Sequence, residues 1–248
     1  MKTEISSLNV QASSIFGSTY AAAVGWRRAI AVAVAVAFSA SHLHANVLVA
    51  SHTGADDPVD KGWNLVNYPL WAGNEVSSVA EEGAWQTKDT STNKNRPAVL
   101  YTYNTEEHAS AARNGWRLSA TVSLIEASKE GVAILAFTGD NGRRYILTFD
   151  ANKDNGNTRV MAWYGINEGG QFSSDVVDTG TKGYITVHMV HDGFSASVYL
   201  GDSADPVITG YTGLDKQNSW KNTVRWGTSN GLETATLNWR KVEFSVVP

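Results

Sequence analysis

The chain reads as an all-β protein, a two-sheet antiparallel β-sandwich. Three observations predict it. Residues 131–164 hold three β-rich runs, Val132-Ala133-Ile134-Leu135-Ala136-Phe137, Tyr145-Ile146-Leu147-Thr148-Phe149 and Arg159-Val160-Met161-Ala162-Trp163-Tyr164, joined by polar turns. The first turn contains Asn141-Gly142, and Asn-Gly between β-rich runs is a strong hairpin signal because both residues tolerate positive φ. Residues 115–125 alternate strictly, with Trp116, Leu118, Ala120, Val122 and Leu124 on one face and Arg117, Ser119, Thr121 and Ser123 on the other; that period of two belongs to a strand. Finally, 22 Gly, 9 Trp and 9 Tyr against 5 Pro fit a turn-rich β domain.

The N-terminus reads as an address. Trp26-Arg27-Arg28 precede an apolar run of 12 residues, 29–40, too short for a bilayer-spanning helix and right for the apolar region of a signal peptide. Small residues at Ser39-Ala40-Ser41 and Leu43-His44-Ala45 offer cleavage sites. Residues 1–45 are therefore expected to be a leader and 46–248 one domain. The Arg pair raises a twin-arginine route, but the residues after it favour general secretion. A secreted, periplasmic or cell-surface protein follows, with no membrane span once the leader is removed.

Along the domain, Val47-Leu48-Val49-Ala50 is strand-like and residues 51–60 a polar loop. Residues 63–85 are irregular, and 89–96 read as a surface loop. Residues 97–103 form a strand opening at a proline, where proline is tolerated. Thr105 is placed to cap a helical turn with Glu106 and Glu107 in its first turn. Residues 175–179 make a strand. Then Ile185, Val187 and Met189 alternate with Tyr184, Thr186 and His188. After the turn His191-Asp192-Gly193, Phe194, Ala196, Val198 and Leu200 alternate with Ser195, Ser197 and Tyr199, a second hairpin of fixed register. The tail gives strands at 224–227, 235–239 and 242–247, with Leu237, Trp239, Val242, Phe244 and Val246 inward.

The segment Gly131-Val132-Ala133-Ile134-Leu135-Ala136-Phe137-Thr138-Gly139, followed by Gly142-Arg143-Arg144-Tyr145, resembles concanavalin A-like lectin/glucanase domains. It is most similar to the laminin-G-like jelly rolls found beside bacterial sialidase-type proteins. Ser197-Val198-Tyr199-Leu200-Gly201-Asp202 looks like that family's "VYLDG" strand and turn, here ending Gly-Asp. Val224-Arg225-Trp226-Gly227 and Asn238-Trp239-Arg240-Lys241-Val242-Glu243-Phe244 look like its closing strands. The resemblance covers residues 115–247; residues 46–114 match loosely. It implies a jelly roll of two stacked sheets, glycan binding on one sheet or its rim, a structural calcium in some members, and pairing of the first strand with the last. It does not assign a function, because this fold hosts binding modules and enzymes alike.

Composition narrows the partners. Net charge is −4 with a pI of about 5.9, which offers no basic footprint for nucleic acid. The chain has no cysteine, so disulfides and thiolate metal sites are excluded. Glycoside hydrolysis needs two carboxylates across the sugar, and the family's Glu-x-Asp-x-x-Glu signature is absent. If the chain were an enzyme, a lyase-type constellation of His188, Tyr184 and Arg117 on a polar sheet face is the candidate, although any polar face looks similar. Asp150, Asn152 and Asp154 place oxygen side chains at alternate loop positions, as calcium prefers; the plainer reading is a polar turn. His188 and His191, three apart on a strand, point to opposite faces. Sugars stack their C–H faces on aromatic rings, and Trp163, Tyr164, Trp220 and Trp226 lie at strand ends or in loops, against the plainer reading that a tryptophan is core. Trp116 and Trp239 are in phase with apolar neighbours and belong to the core. The expectation is an exported, non-catalytic, lectin-like carbohydrate-binding domain. The alternatives are a polysaccharide lyase or glycoside hydrolase of the same fold, and a structural or adhesion module that binds protein.

Overall fold

The strongest alternation in the sequence becomes the middle of a sheet. Trp116–Ala127 (β6) pairs antiparallel with Ala235–Val246 (β15), and the two are flanked by further strands on both sides. The computed structural model describes residues 46–68, 76–90, 98–127, 133–166, 172–214, 220–228 and 234–248. The expected leader, residues 1–45, lies outside them, as do residues 69–75 and 91–97.

The remaining strands are β1 (Val47–Thr53), β2 (Asn64–Tyr68), β3 (Val76–Glu81), β4 (Ala84–Asp89), β5 (Ala98–Asn104), β7 (Ala133–Thr138), β8 (Arg144–Ala151), β9 (Thr158–Ile166), β10 (Phe172–Asp178), β11 (Ile185–His191), β12 (Ala196–Leu200), β13 (Ile208–Tyr211) and β14 (Thr223–Thr228). The first sheet runs β13-β12-β11-β6-β15-β4-β3, with β1 also on β15; the second runs β10-β9-β8-β7-β14-β5-β2. All pairings are antiparallel among the described residues. The all-β sandwich is therefore the fold. β1 does pair with the last strand, Val47 opposite Val246.

Several boundaries differ from the sequence reading, each for a physical reason. The two closing runs are one strand. Between Trp239 and Lys241 its register shifts, so Arg240 is the extra residue of a β-bulge, which explains why the inward positions change parity from Trp239 to Val242. Residues read as irregular contain β2, β3 and the start of β4, none of which alternates cleanly. The β3–β4 hairpin turns on Glu82 and Gly83, both at positive φ (45° and 75°), as a two-residue type I′ turn requires. The β7–β8 connection is longer: Gly139 N–H donates to the Arg143 carbonyl at 3.0 Å, and only Gly142 of the Asn-Gly pair takes positive φ. Thr105 makes no capping bond; the Asn104 side chain accepts from the Glu106 amide at 2.9 Å instead. A 3-10 turn, Glu106–His108, and a short helix, Ala109–Asn114, then lead into β6.

Between the sheets lies an aromatic core. Trp226, with 0% of its surface exposed, meets Tyr101 at 4.6 Å, His52 at 5.1 Å, Trp239 at 5.2 Å and Trp63 at 5.8 Å between ring centroids. Burying an indole leaves its N–H in need of an acceptor, and most find one: Trp63 donates to the Ser51 carbonyl, Trp85 to Tyr101 and Trp239 to Thr87. Gly227 follows Trp226 because the strands approach closely there. A Cβ at that position would sit 2.1 Å from the Val99 carbonyl oxygen.

Candidate functional site

At one end of the sandwich a cleft of about 440 Å³ opens, lined by residues from both sheets. That volume lies in the range of small-ligand sites. The short helix contributes Ala112 and Arg113, β6 its first residue Trp116, β7 Phe137, β8 Tyr145, and β11 its last residue His191. The 139–143 turn supplies Asp140, Asn141 and Arg143, and the β11–β12 turn supplies Phe194.

The floor is apolar and ordered by stacking. Trp116 stacks on His191 (5.3 Å, 5° between planes) and meets Phe137 and Tyr145 edge-on at 5.0 and 5.1 Å. His191 has both nitrogens engaged. Nδ1 accepts the Gly193 amide at 3.0 Å, so in the neutral ring the proton sits on Nε2, which faces the Tyr145 hydroxyl at 2.9 Å. The imidazole therefore donates to the Tyr145 oxygen and leaves the phenolic hydrogen to donate elsewhere. Burial lowers the His191 pKa and raises that of Tyr145, which keeps both groups neutral near pH 7.

The rim is polar. Arg113 donates from Nε to Asp140 Oδ2 at 2.6 Å and forms an ion pair with the same oxygen through Nη2. Asn141 Oδ1 accepts from the Arg143 amide at 2.8 Å, which fixes the side chain and leaves its amide nitrogen for a ligand. Arg143 Nη1 donates to the Thr212 carbonyl at 2.7 Å. At the mouth stands Phe194, 91% exposed. Asp192 Oδ1 holds its turn by accepting from the Phe194 and Ser195 amides at 2.9 and 3.0 Å, and these backbone bonds lower the Asp192 pKa. The alternation that placed Phe194 in phase with Ala196 and Val198 thus stops short of it, because β12 begins at Ala196.

The residues expected to bind sugar are not together. Trp226 is core and no ligand reaches it; Gly227 and Arg225 beside it broke the alternation that would have revealed this. Trp163 lies half-buried on the outer face of the second sheet, its indole donating to Thr148 Oγ1 at 2.8 Å. Trp220 is half-buried with the Arg225 guanidinium 4.8 Å from its ring. The Tyr164 side chain lies outside what is described. Trp116 and Trp239 are buried as expected.

The outer face of the first sheet carries the candidate enzymatic residues. His188 Nδ1 and Ser119 Oγ are 2.8 Å apart, and Arg117 Nε donates to the same hydroxyl at 3.1 Å. A cavity of about 340 Å³ beside them is lined by Arg117, His188, Tyr199 and Asp202. Burial first, then the Arg117 charge, lowers the His188 pKa. Tyr184 is not part of that cavity; its ring lies under Arg240, 3.7 Å away. His188 and His191 do face opposite ways: His188 lines this outer cavity and His191 the end cleft.

The loop read as a cation site is organised otherwise. Asp150 is buried and accepts from Arg159 Nε at 2.9 Å and, with its other oxygen, from Nη2. Asn152, Asn155 and Asn157 turn their amides to Asp178 at 2.6, 2.9 and 3.0 Å. These donors hold the Asp178 carboxyl far below the usual carboxylate range, the Asn155 bond contributing most. Of the three residues expected to hold calcium, Asp150 and Asn152 thus already serve protein partners, Arg159 and Asp178. Among the described residues no cluster of three His, Asp or Glu side chains is close enough to hold a metal ion.

No protein-family model matches the chain, and no curated protein matches it. Solved structures do. A carbohydrate esterase from the Shiga toxin-encoding bacteriophage phi24B is similar at 11% identity over 82% of this chain and 100% of that one, with a TM-score of 0.54. A glycosyl hydrolase family protein from Mycobacterium fortuitum aligns at 10% identity over 80% and 99% of the two chains, TM-score 0.48. The binding domain of botulinum neurotoxin serotype C1 aligns at 9% identity over 80% of this chain and 48% of that one, TM-score 0.47. At such identities the first of these supports the β-sandwich fold alone.

Proposed function

We propose that this chain is an exported, non-catalytic carbohydrate-binding domain of the concanavalin A-like type, and that it holds a glycan in the end cleft. One observation carries the reading: an almost fully exposed Phe194 stands at the mouth of a cleft whose rim is polar. A saccharide presents apolar C–H faces and a ring of hydroxyls. Phe194 offers the stacking surface, Asp140 Oδ1 an acceptor, and the Asn141 amide, Arg143 and the Tyr145 hydroxyl donors. The fold shared with a carbohydrate esterase and the family-like motifs at residues 131–145 and 197–202 agree with it. Among the described residues Asp140 is the only carboxylate lining the cleft, whereas glycoside hydrolysis uses a pair. The apolar run 29–40 supports export and removal of residues 1–45.

The test is a glycan array probed with the full chain and with Phe194→Ala and Asp140→Asn, while reducing ends and unsaturated products are assayed on every glycan bound. Binding of neutral glycans by the wild type, lost in both variants and without product, is the expected result. Product formation would overturn the non-catalytic reading and direct attention to His188, Ser119 and Arg117.

A further inference from the structure

The second sheet buries an arginine that has no counter-charge among the described residues. Arg225 on β14 is 5% exposed, and its Nε and Nη2 have no hydrogen-bond partner among the described residues. Its side chain is on the outer face, because Val224 and Trp226 on either side belong to the core. An isolated buried cation is strongly unfavourable unless something pairs with it. The same sheet face shows what pairing looks like: Arg159, two strands from β7, has the Asp150 carboxylate.

The register shows what surrounds Arg225. It lies opposite Ala136 on β7, and Ala136 lies opposite Ile146 on β8. One step along this face, Thr223, Thr138 and Arg144 form the next cross-strand row. Trp220 sits beyond Thr223 at that same end, and its ring lies 4.8 Å from the Arg225 guanidinium carbon. The guanidinium therefore leans toward the row holding Thr138 and Arg144. Thr138 is wholly buried, and its hydroxyl also lacks a partner among the described residues. Burial, and then the nearby Arg144 charge, lowers the Arg225 pKa to about 10, so it remains a cation at neutral pH.

We propose that Arg225, with the Thr138 hydroxyl and the Arg144 charge beside it, is an oxyanion-binding site that takes the carboxylate or sulfate group of an acidic saccharide. The guanidinium fork matches the two oxygens of such a group. The Thr138 hydroxyl supplies a further donor. Trp220 offers a ring face to the sugar that carries the acid. This site is on the outer face of the second sheet and stands independently of the end cleft.

The test is calorimetric titration of the full chain at constant ionic strength with glucuronate, glucose 6-sulfate, inorganic sulfate, inorganic phosphate and glucose. The wild type is expected to bind glucuronate and glucose 6-sulfate saturably and glucose not at all. Arg225→Met is expected to weaken acidic-sugar binding about tenfold or more while keeping or raising Tm, since it removes a lone buried cation. Arg225→Lys, which keeps the charge and loses the fork, is expected to fall between. Should Arg225→Met not fold, Thr138→Val reads the same site through a loss of about threefold or more. Phe194→Ala is expected to bind the acidic sugars as the wild type does, which separates this site from the cleft. The proposal is overturned if no oxyanion binds, if only inorganic sulfate or phosphate binds, or if Arg225→Met or Thr138→Val binds as tightly as the wild type.

Discussion

Two aromatic clusters in this sandwich are built on the same unit, a histidine stacked on a tryptophan, and they differ in one respect. In the middle of the core His52 stacks on Trp226 at 5.1 Å; at the end His191 stacks on Trp116 at 5.3 Å. Neither ring nitrogen of His52 has a hydrogen bond of ordinary geometry, although backbone groups of Trp239 and Gly54 lie near. Both nitrogens of His191 are bonded. The central cluster is buried throughout, and Trp63, Tyr101 and Trp239 spend their polar atoms on protein partners. The end cluster opens onto a cleft with a polar rim and an exposed phenyl ring. The comparison teaches that an aromatic's place in the layers, rather than its abundance near glycine or charge, decides whether it holds the fold or meets a ligand.

The largest effect that would break this comparison is expected at the closed cluster. Gly227→Ala drives a methyl group into the Val99 carbonyl and is expected to cost about 4 kcal/mol or more, read as a fall in the urea midpoint. Trp226→Ala empties the centre of the core and is expected to cost about 3–5 kcal/mol. If it kept wild-type stability and lost only glycan binding, the closed cluster would not be closed.

The histidines sharpen the comparison through pH. Burial lowers the His52 pKa from 6.5 to about 4, against the opposing pull of nearby backbone groups, Asp56 and Asp57. The unfolded chain therefore takes up this proton first as pH falls. Stability from the neutral ring is complete above about pH 6.5, declines from there to about pH 4, and has gone below it. At about 1.4 kcal/mol per unit the loss is on the order of 3 kcal/mol. Urea midpoints measured from pH 7.5 to 4 check it: His52→Phe is expected to flatten that slope, and an unchanged slope would reject the assignment. The smallest effect on stability is expected at the cleft. Phe194→Ala should change the unfolding free energy by less than about 0.5 kcal/mol, read from urea unfolding, as for other surface changes, because its ring is already in solvent.

Much of the fold was legible because the sequence repeats its pattern locally. β6 alternates over its whole apolar face, β11 does the same, and the change of parity between Trp239 and Val242 marks the bulge at Arg240. The site was less legible because the cleft draws on positions 112–116, 137–145, 191–194 and 212, which only the topology brings together. Gly139 to Arg143 looked like a turn, and it is one; nothing local says that Asp140 meets Arg113. Phe194 looked inward because alternation was extended one step past the strand. Trp226 looked available because Arg225 and Gly227 interrupt its run, although the sheet places both of them on the opposite face. Arg225 itself carried no local signal, since only burial reveals a missing partner.

The central claim is that the open cluster, and not Trp163 on the outer face of the second sheet, holds neutral glycans. The most direct test is calorimetric titration of the tightest-binding neutral oligosaccharide from the array into the wild type, Phe194→Ala and Trp163→Ala. The account predicts saturable binding by the wild type and Trp163→Ala and a loss of about tenfold or more in Phe194→Ala. Wild-type affinity in Phe194→Ala together with a loss in Trp163→Ala would contradict it and move the site to the outer face of the second sheet.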